Sequence, residues 1–504
     1  MSIATEIGRI AQAKADIKRA INAKGGVLVN EKLSAYAAAI DDLLPEEYGN
    51  RVRFIDYDGT VLKTQYVADG ESATPPANPS HAGLRFLGWN NDYTDIHGYR
   101  DIGAMYTTTS GKTEFDIRVT VPTGSTVTFY PYLVSGQLTI AWGDGTTDTV
   151  TTAGRRSISY TYAEYGDYKV TFSISSGGEW YIPEYFCGDS SRYWIYNARL
   201  AGVPRLGNSA FQYCPSLQTI TMDTAMLTVG EQAFRYCRAL QAVVFPNTVT
   251  EIQRRCMQEC YALSQIVFPD SITAIKEETC YACHSLDSVV IPTGITQIGD
   301  SAFYGCNALR SVFLPDTLLT LAYGLFRYCR ALAKVHLPQS LTSIGGNAFY
   351  ECCSLERVTI PNGASCGESA FARCYNLRSI NIPTGWTAVP YGLCSECFAL
   401  ESISIPENIT TVRGSAFYEC HKLRTVEFKS TLTNIESDAF GNNHSMQNIH
   451  CRRLTPPTMG STDVFYNLPR NCKIWVPAST DREVLTAYKT ASNWSAYADF
   501  MYEE

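Results

Sequence analysis

SAFYGCNALRSVFLP (residues 301–315) and NAFYECCSLERVTIP (residues 347–361) share one frame of alanine, phenylalanine, cysteine, leucine and a closing proline. The frame recurs along the second half of the chain. A cysteine stands at 214, 237, 260, 283, 306, 329, 352, 374, 397 and 420, and Asn443 fills the next slot. Every step between cysteines is 23 residues except the step of 22 from Cys352 to Cys374. The heptapeptide FRYCRAL occurs twice, at 234–240 and 326–332, four periods apart. A leucine-bearing repeat of roughly 20–29 residues is the signature of a solenoid, in which one coil cannot bury its apolar face until neighbours stack on it. Alternation places a strand in each coil, with Ile220 and Met222, or Val312 and Leu314, facing inward and Thr221 and Phe313 outward. The proline that follows in most coils lacks an N–H and ends the strand.

Phe211, Phe234, Phe303, Phe326, Phe349, Phe371, Phe417 and Phe440 are expected to stack as an internal spine, with Met257, Cys280 and Cys394 replacing phenylalanine in three coils. The cysteine slot reads as a buried turn whose small side chain bonds a backbone group of the adjacent coil. The frame A-F-x-x-C-x-x-L-x-x-[VI]-x-[ILF]-P resembles the BspA-like leucine-rich repeat over about residues 195–475. That resemblance implies bacterial surface adhesins and binding proteins, and repeats that also occur in phage-encoded proteins. The segment from Cys451 onward is similar to the family's C-terminal cap, with a short helix near 480–490.

Cys280 and Cys283, and Cys394 and Cys397, have the C-x-x-C spacing of a zinc half-site or a redox pair. They lie five coils apart, roughly 24 Å at about 4.8 Å per coil, so one ion cannot join them. Core roles are expected, with no metal, no cofactor and no enzyme activity. All 18 cysteines lie at or after Cys187. Net charge −8 gives no footprint for nucleic acid. No apolar run reaches the roughly 20 residues of a membrane span, and the first residues show no secretory signal.

Five parts are expected: 1–46 helical, 50–106 and 107–176 two small β domains, 177–475 a solenoid of about 11 coils, and 476–504 a cap. The chain is therefore multi-domain and mainly β. Ile3, Ile7, Ile10, Ile17 and Ile21 keep the rhythm of a coiled-coil seam, interrupted by Lys14. The seam is expected to oligomerise the chain, with a trimer favoured; an intramolecular helical hairpin is the alternative. Residues 1–46 resemble the N-terminal module of phage tail and fibre proteins, which implies attachment to other virion proteins.

Residues 55–61, IDYDGTV, match the nucleophile loop of haloacid-dehalogenase phosphatases, and Gly143, Asp144 and Asp148 fit their metal motif. That chemistry needs parallel strands with crossover helices. No helical period appears between 60 and 150, so a phosphatase is the remote alternative. The same region, with Gly83, Phe86, Gly88 and Trp89, resembles the Listeria–Bacteroides repeat, a β-grasp-like spacer in which Asp58-Gly59 is a hairpin turn. Residues 107–176, with WGDGT at 142–146 and Tyr160, Tyr162, Tyr165 and Tyr168, resemble a PKD immunoglobulin-like sandwich. There Asp144 and Asp148 serve either a turn or calcium.

The outward row of the solenoid reads Thr221, Val244, Val267, Val290, Phe313, His336, Thr359, Asn381, Ser404, Glu427, His450. Four successive apolar residues on a water-facing sheet mark an interface, with another subunit, a preceding domain or a receptor. Val244, Val267, Val290, Phe313, His336, Asn381, Glu427 and His450 are the candidate binding residues. A second set, Tyr213, Tyr236, Tyr281, Tyr304, Tyr328, Tyr350 and Tyr418, flanks the cysteine slot, as cover for the coil edge or as sugar platforms. The expected function is a phage virion fibre, made in the bacterial cytoplasm, whose solenoid binds a host-surface glycan or protein. A bacterial cell-surface adhesin is the alternative.

Overall fold

The computed structural model describes residues 50–120, 125–189 and 191–504; the seam residues Ile3, Ile7, Ile10, Ile17 and Ile21 lie outside them. The described chain is mainly β, with one α-helix, Glu483–Thr490. No helix among the described residues is long and apolar enough to cross a membrane.

Each coil of the solenoid carries two short strands. On one face Ser288–Val290, Ser311–Phe313 and Lys334–His336 pair parallel, Ser288 with Ser311 and Ser311 with Lys334, so one repeat advances one rung. On the other face Arg205–Leu206, Thr228–Val229 and Glu251–Ile252 pair in the same way. The first ladder begins with Ile195–Leu200, before the first repeat cysteine, and extends to Lys473–Val476 and Met501–Glu503, beyond the last slot. The stack therefore reaches about 13 turns, more than the cysteine period marks out.

Inward and outward residues alternate as expected: Val243 and Phe245 join the solenoid core, whereas Val244 faces away from it. The phenylalanine spine is buried and stacked, with ring centroids 5.8 Å apart for Phe303 and Phe326, 5.5 Å for Phe326 and Phe349, and 5.2 Å for Phe349 and Phe371. The slot cysteines form a second internal column. Each thiol from Cys237 to Cys420 donates to a main-chain carbonyl of the coil before it, as Cys237 does to Phe211 O at 3.1 Å and Cys329 to Phe303 O at 3.1 Å. Asn443 keeps that bond with its amide, 3.0 Å from Phe417 O. The side chain must therefore be small and able to donate. All 18 cysteines are free thiols, and both C-x-x-C pairs are buried, Cys283 and Cys397 in this column and Cys280 and Cys394 in the spine position.

The sandwich does not hang from the solenoid by a linker. Thr113–Val119 pairs antiparallel with Ile195–Leu200, which pairs parallel with Thr219–Met222. One six-stranded sheet thus runs from Thr147–Val150 in the sandwich to the first repeat coil. Phe115, Phe129 and Phe172 share a continuous core with Phe186 and Phe211. This caps an end that would otherwise leave an open coil in water. An Arg199–Asp116 ion pair of 2.7 Å crosses the seam, and Asn197 donates to the same carboxylate at 3.0 Å. Burial raises the Asp116 pKa, but those hydrogen bonds outweigh it and hold the group below the usual range. At the other end Tyr488 and Trp494 are buried under the final coil.

The chain divides into two compact units. The smaller comprises, among described residues, Asn50–Val52, Thr64–Thr74 and Tyr93–Arg100. Within it Ala73 N donates to Tyr93 O at 2.7 Å, and His97 sits 3.1 Å from Asp69 and 3.2 Å from Asp95. The larger unit holds all the rest, including the strand Leu84–Trp89 paired antiparallel with residues 104–108.

Candidate binding surface

The apolar outward row meets the chain's own β module. Val244 and Val267, which are register partners, cluster with Ile55, and all three are buried. Gly103 lies so close that a Cβ there would stand 2.2 Å from Val244 Cγ1. Val290 and Thr221 are also buried, Phe313 is half-buried and His336 is exposed.

Two asparagines hold this contact, for a reason that lies in the prolines of the repeat. In a parallel ladder the carbonyl of Phe245 would accept from the residue at 269, and that of Phe268 from the residue at 292. Both are prolines and donate nothing. Asn90 Nδ2 donates to Phe245 O at 2.9 Å, and Asn91 Nδ2 donates to Phe268 O at 2.9 Å. Asp270 N returns a bond to Asn91 Oδ1 at 3.0 Å, and Gly103 N donates to Asn90 Oδ1 at 2.6 Å. Two buried carbonyls that the strand ends leave open are thereby satisfied.

Further along, the row is polar. Asn381 brackets the backbone of Ile360, accepting from its N–H at 2.6 Å and donating to its carbonyl at 2.8 Å. It patches the ladder across the one coil of 22 residues. Glu427 and His450 are register partners. Glu427 pairs with Lys429 at 2.7 Å and Arg452 at 2.8 Å, and Glu504 reaches both His450 and Arg452. Arg357, Thr359, Ser402, Ser404 and Thr425 are exposed.

The phosphatase-like motifs occupy other geometry. Asp56 and Thr60 close a hairpin, Asp56 N donating to Thr60 O at 2.8 Å, with Gly59 in the left-handed region at φ +90°. The buried Asp56 carboxylate accepts from the Tyr106 hydroxyl at 2.7 Å and Tyr57 N at 2.9 Å, and lies 2.8 Å from His81 Nε2. Asp144 sits in the hairpin joining Leu138–Ala141 to Thr147–Val150, where Thr146 and Tyr160 donate to it. Asp148 accepts from the Trp142 indole at 2.8 Å. Among the described residues no three or more His, Cys, Asp or Glu side chains gather to hold a metal.

At the coil edge the tyrosines form stacks, with centroids 4.7 Å apart for Tyr213 and Tyr236 and 4.4 Å for Tyr281 and Tyr304. Arginines interleave with them, which inspection of the tyrosines alone overlooked. Arg235 and Arg238 lie 4.8 and 5.6 Å from the Tyr236 ring, and Arg327 and Arg330 lie 5.0 and 5.8 Å from the Tyr328 ring. Both sets belong to the repeated FRYCRAL, in which an arginine precedes the tyrosine and another follows the cysteine. That spacing was the available signal.

Burial pushes the thiols of Cys237, Cys329 and Cys352 up, and only Cys353 and Cys366 reach the surface in part. Alkylation at mildly basic pH is expected to modify Cys353 first, with Cys366 held back because burial pushes its thiol up, and Cys237 and Cys329 reacting only after denaturation. Peptide mapping over time checks this; Cys237 reacting as fast as Cys353 would refute the buried column.

Parallel strands one repeat apart, an apolar spine and a leucine in every coil define a leucine-rich-repeat β-solenoid. The chain belongs to the BspA-type leucine-rich repeat family: the family model "BspA type Leucine rich repeat region" matches residues 204–333, 320–447 and 387–479, more than half of the chain. Among solved structures, a leucine-rich cell surface protein from Faecalibacterium prausnitzii is 28% identical, covering 49% of this chain and 69% of that one at a TM-score of 0.36. A leucine-rich repeat protein from Bacteroides ovatus is 22% identical, with 62% and 94% covered at a TM-score of 0.42. The pneumococcal vaccine antigen PcpA is 16% identical, with 60% and 77% covered at a TM-score of 0.41. No curated protein matches the chain significantly.

Proposed function

We propose that the chain is a non-enzymatic, adhesive binding protein displayed at a bacterial cell surface, with the solenoid as its recognition part. The observation that carries this reading is membership of the BspA-type family, joined to a solenoid whose polar side chains Arg357, Thr359, Ser402, Ser404 and Thr425 stand exposed on three of its coils. Solenoids bind through such repeated surfaces rather than through a single deep pocket. The partner in this reading is a glycan or protein of a host surface. Oligomerisation and anchoring fall to residues 1–46.

The experiment is immunogold labelling with an antibody raised against the solenoid, applied to intact producing cells and to purified phage particles. Gold on the cell envelope is expected. Gold on virions with none on cells would replace this reading by a virion fibre.

A further inference from the structure

We propose that the edge cleft lined by Tyr193, Tyr213, Pro215, Tyr236 and Arg238 binds an acidic pyranose, a sugar unit carrying a carboxylate. This rests on the reading above, that the solenoid binds a surface, and assigns the chemistry of one contact. The cleft measures about 230 Å³. Drug-sized sites span roughly 300–1,000 Å³, so one sugar ring fits here and a chain of them does not.

The walls are tyrosines partly open to water. Tyr193 is 61% exposed and Tyr213 42%, and the Tyr213 ring is braced from behind by Tyr236, nearly parallel at 10°. An electron-rich ring face suits the weakly positive C–H face of a pyranose. The floor supplies a cation. The Arg238 guanidinium is held by two rings, 5.6 Å from Tyr236 and 5.2 Å from Tyr261, and makes no ion pair among the described residues. Glu259, in the adjacent coil, accepts the Tyr261 hydroxyl at 2.8 Å. The guanidinium fork is left to meet a carboxylate two bonds at a time. Arg192 lies 5.9 Å from the Tyr213 ring, but Asp189 neutralises it at 2.7 Å.

The second FRYCRAL is an internal control. There Arg330 is paired with Glu351 at 2.7 Å, and Tyr328 is packed edge-on by Tyr304 and Tyr350. Identical residues thus make a closed cluster at one site and an open cleft at the other.

The test titrates the full chain with the methyl glycoside of N-acetylneuraminic acid, methyl glucuronide and neutral methyl galactoside, read by saturation-transfer NMR and calorimetry. At least one acidic glycoside is expected to bind ten-fold or more tighter than the neutral one, and to weaken as salt rises. Arg238→Gln should remove that ten-fold advantage, Tyr193→Ala should weaken all binding, and Arg330→Gln should change nothing. Tyr193 is exposed, so its variant keeps the test valid if Arg238→Gln fails to fold. Equal binding of acidic and neutral glycosides, no binding at all, or equal losses from Arg238→Gln and Arg330→Gln would overturn the inference. Binding of the chain to host cells separates the two proposals. If the wild type and Arg238→Gln bind cells alike while the glycosides fail, only the cleft is wrong. If the wild type binds no cells, the adhesive reading falls and the glycosides still decide the cleft.

Discussion

Phe326→Ala is expected to destabilise the solenoid by about 3–5 kcal/mol, the range for removing a fully buried phenylalanine from a core that cannot collapse around the void. Phe326 is fully buried, with Phe303 and Phe349 stacked on either side of its ring at 5.8 and 5.5 Å. Neither neighbour can close the gap without leaving its own rung, because the strands above and below are tied in register. Coils are coupled chiefly to their neighbours. The damage should therefore appear as lost cooperativity as well as lost stability, with a urea transition that broadens or splits as the two flanks unfold apart. Phe326→Leu, which keeps most of the volume, should cost less than half as much. A single sharp transition at the wild-type midpoint for Phe326→Ala would refute the stacked spine.

The second large effect is expected at Gly103. A valine there cannot coexist with Val244, because even a Cβ would lie 2.2 Å from its Cγ1. Overpacking costs on the order of 1–3 kcal/mol when a core can shift. Here the cheaper response is separation of the β module from the solenoid, which uncovers Ile55, Val244 and Val267 together with the Asn90 and Asn91 bonds. Hydrogen exchange should show faster exchange at 242–245 and 265–268, while the coils around Cys329 keep their protection. Asn91→Ala should move the same amides less. If Gly103→Val leaves those amides protected, the module is not seated on this row.

Much of the solenoid was legible in residue spacing. A period of 23 is set by local needs that each coil must meet with its own residues: a phenylalanine for the spine, a donor for the slot, a leucine for the core. Cys329 and Asn443 do the same job because a carbonyl of the preceding coil demands a small donor, and the amide meets that demand as the thiol does. The strand alternation was equally readable, down to Val243 facing in and Val244 facing out. The coils added at either end, by contrast, carry no slot cysteine and left no periodic mark.

The apolar row could be found but its occupant could not. Val244 and Val267 announced an interface, yet Asn90-Asn91 reads in isolation as an ordinary polar turn. Its role depends on carbonyls 155 and 177 residues away and on prolines that withhold donors from them. In the same way, nothing local separates the two FRYCRAL copies. Their identical arginines diverge because Glu351 pairs with Arg330, whereas Glu259, at the same offset from Arg238, takes the Tyr261 hydroxyl, and Arg238 makes no ion pair among the described residues. The sequence alone determined the repeat, its core and the face each residue takes, since these follow from contacts at fixed offsets along the chain. The cover over the row, and the arginine left open at the edge, were decided only by tertiary structure. Both depend on which distant groups arrive with or without a hydrogen-bonding or charged partner.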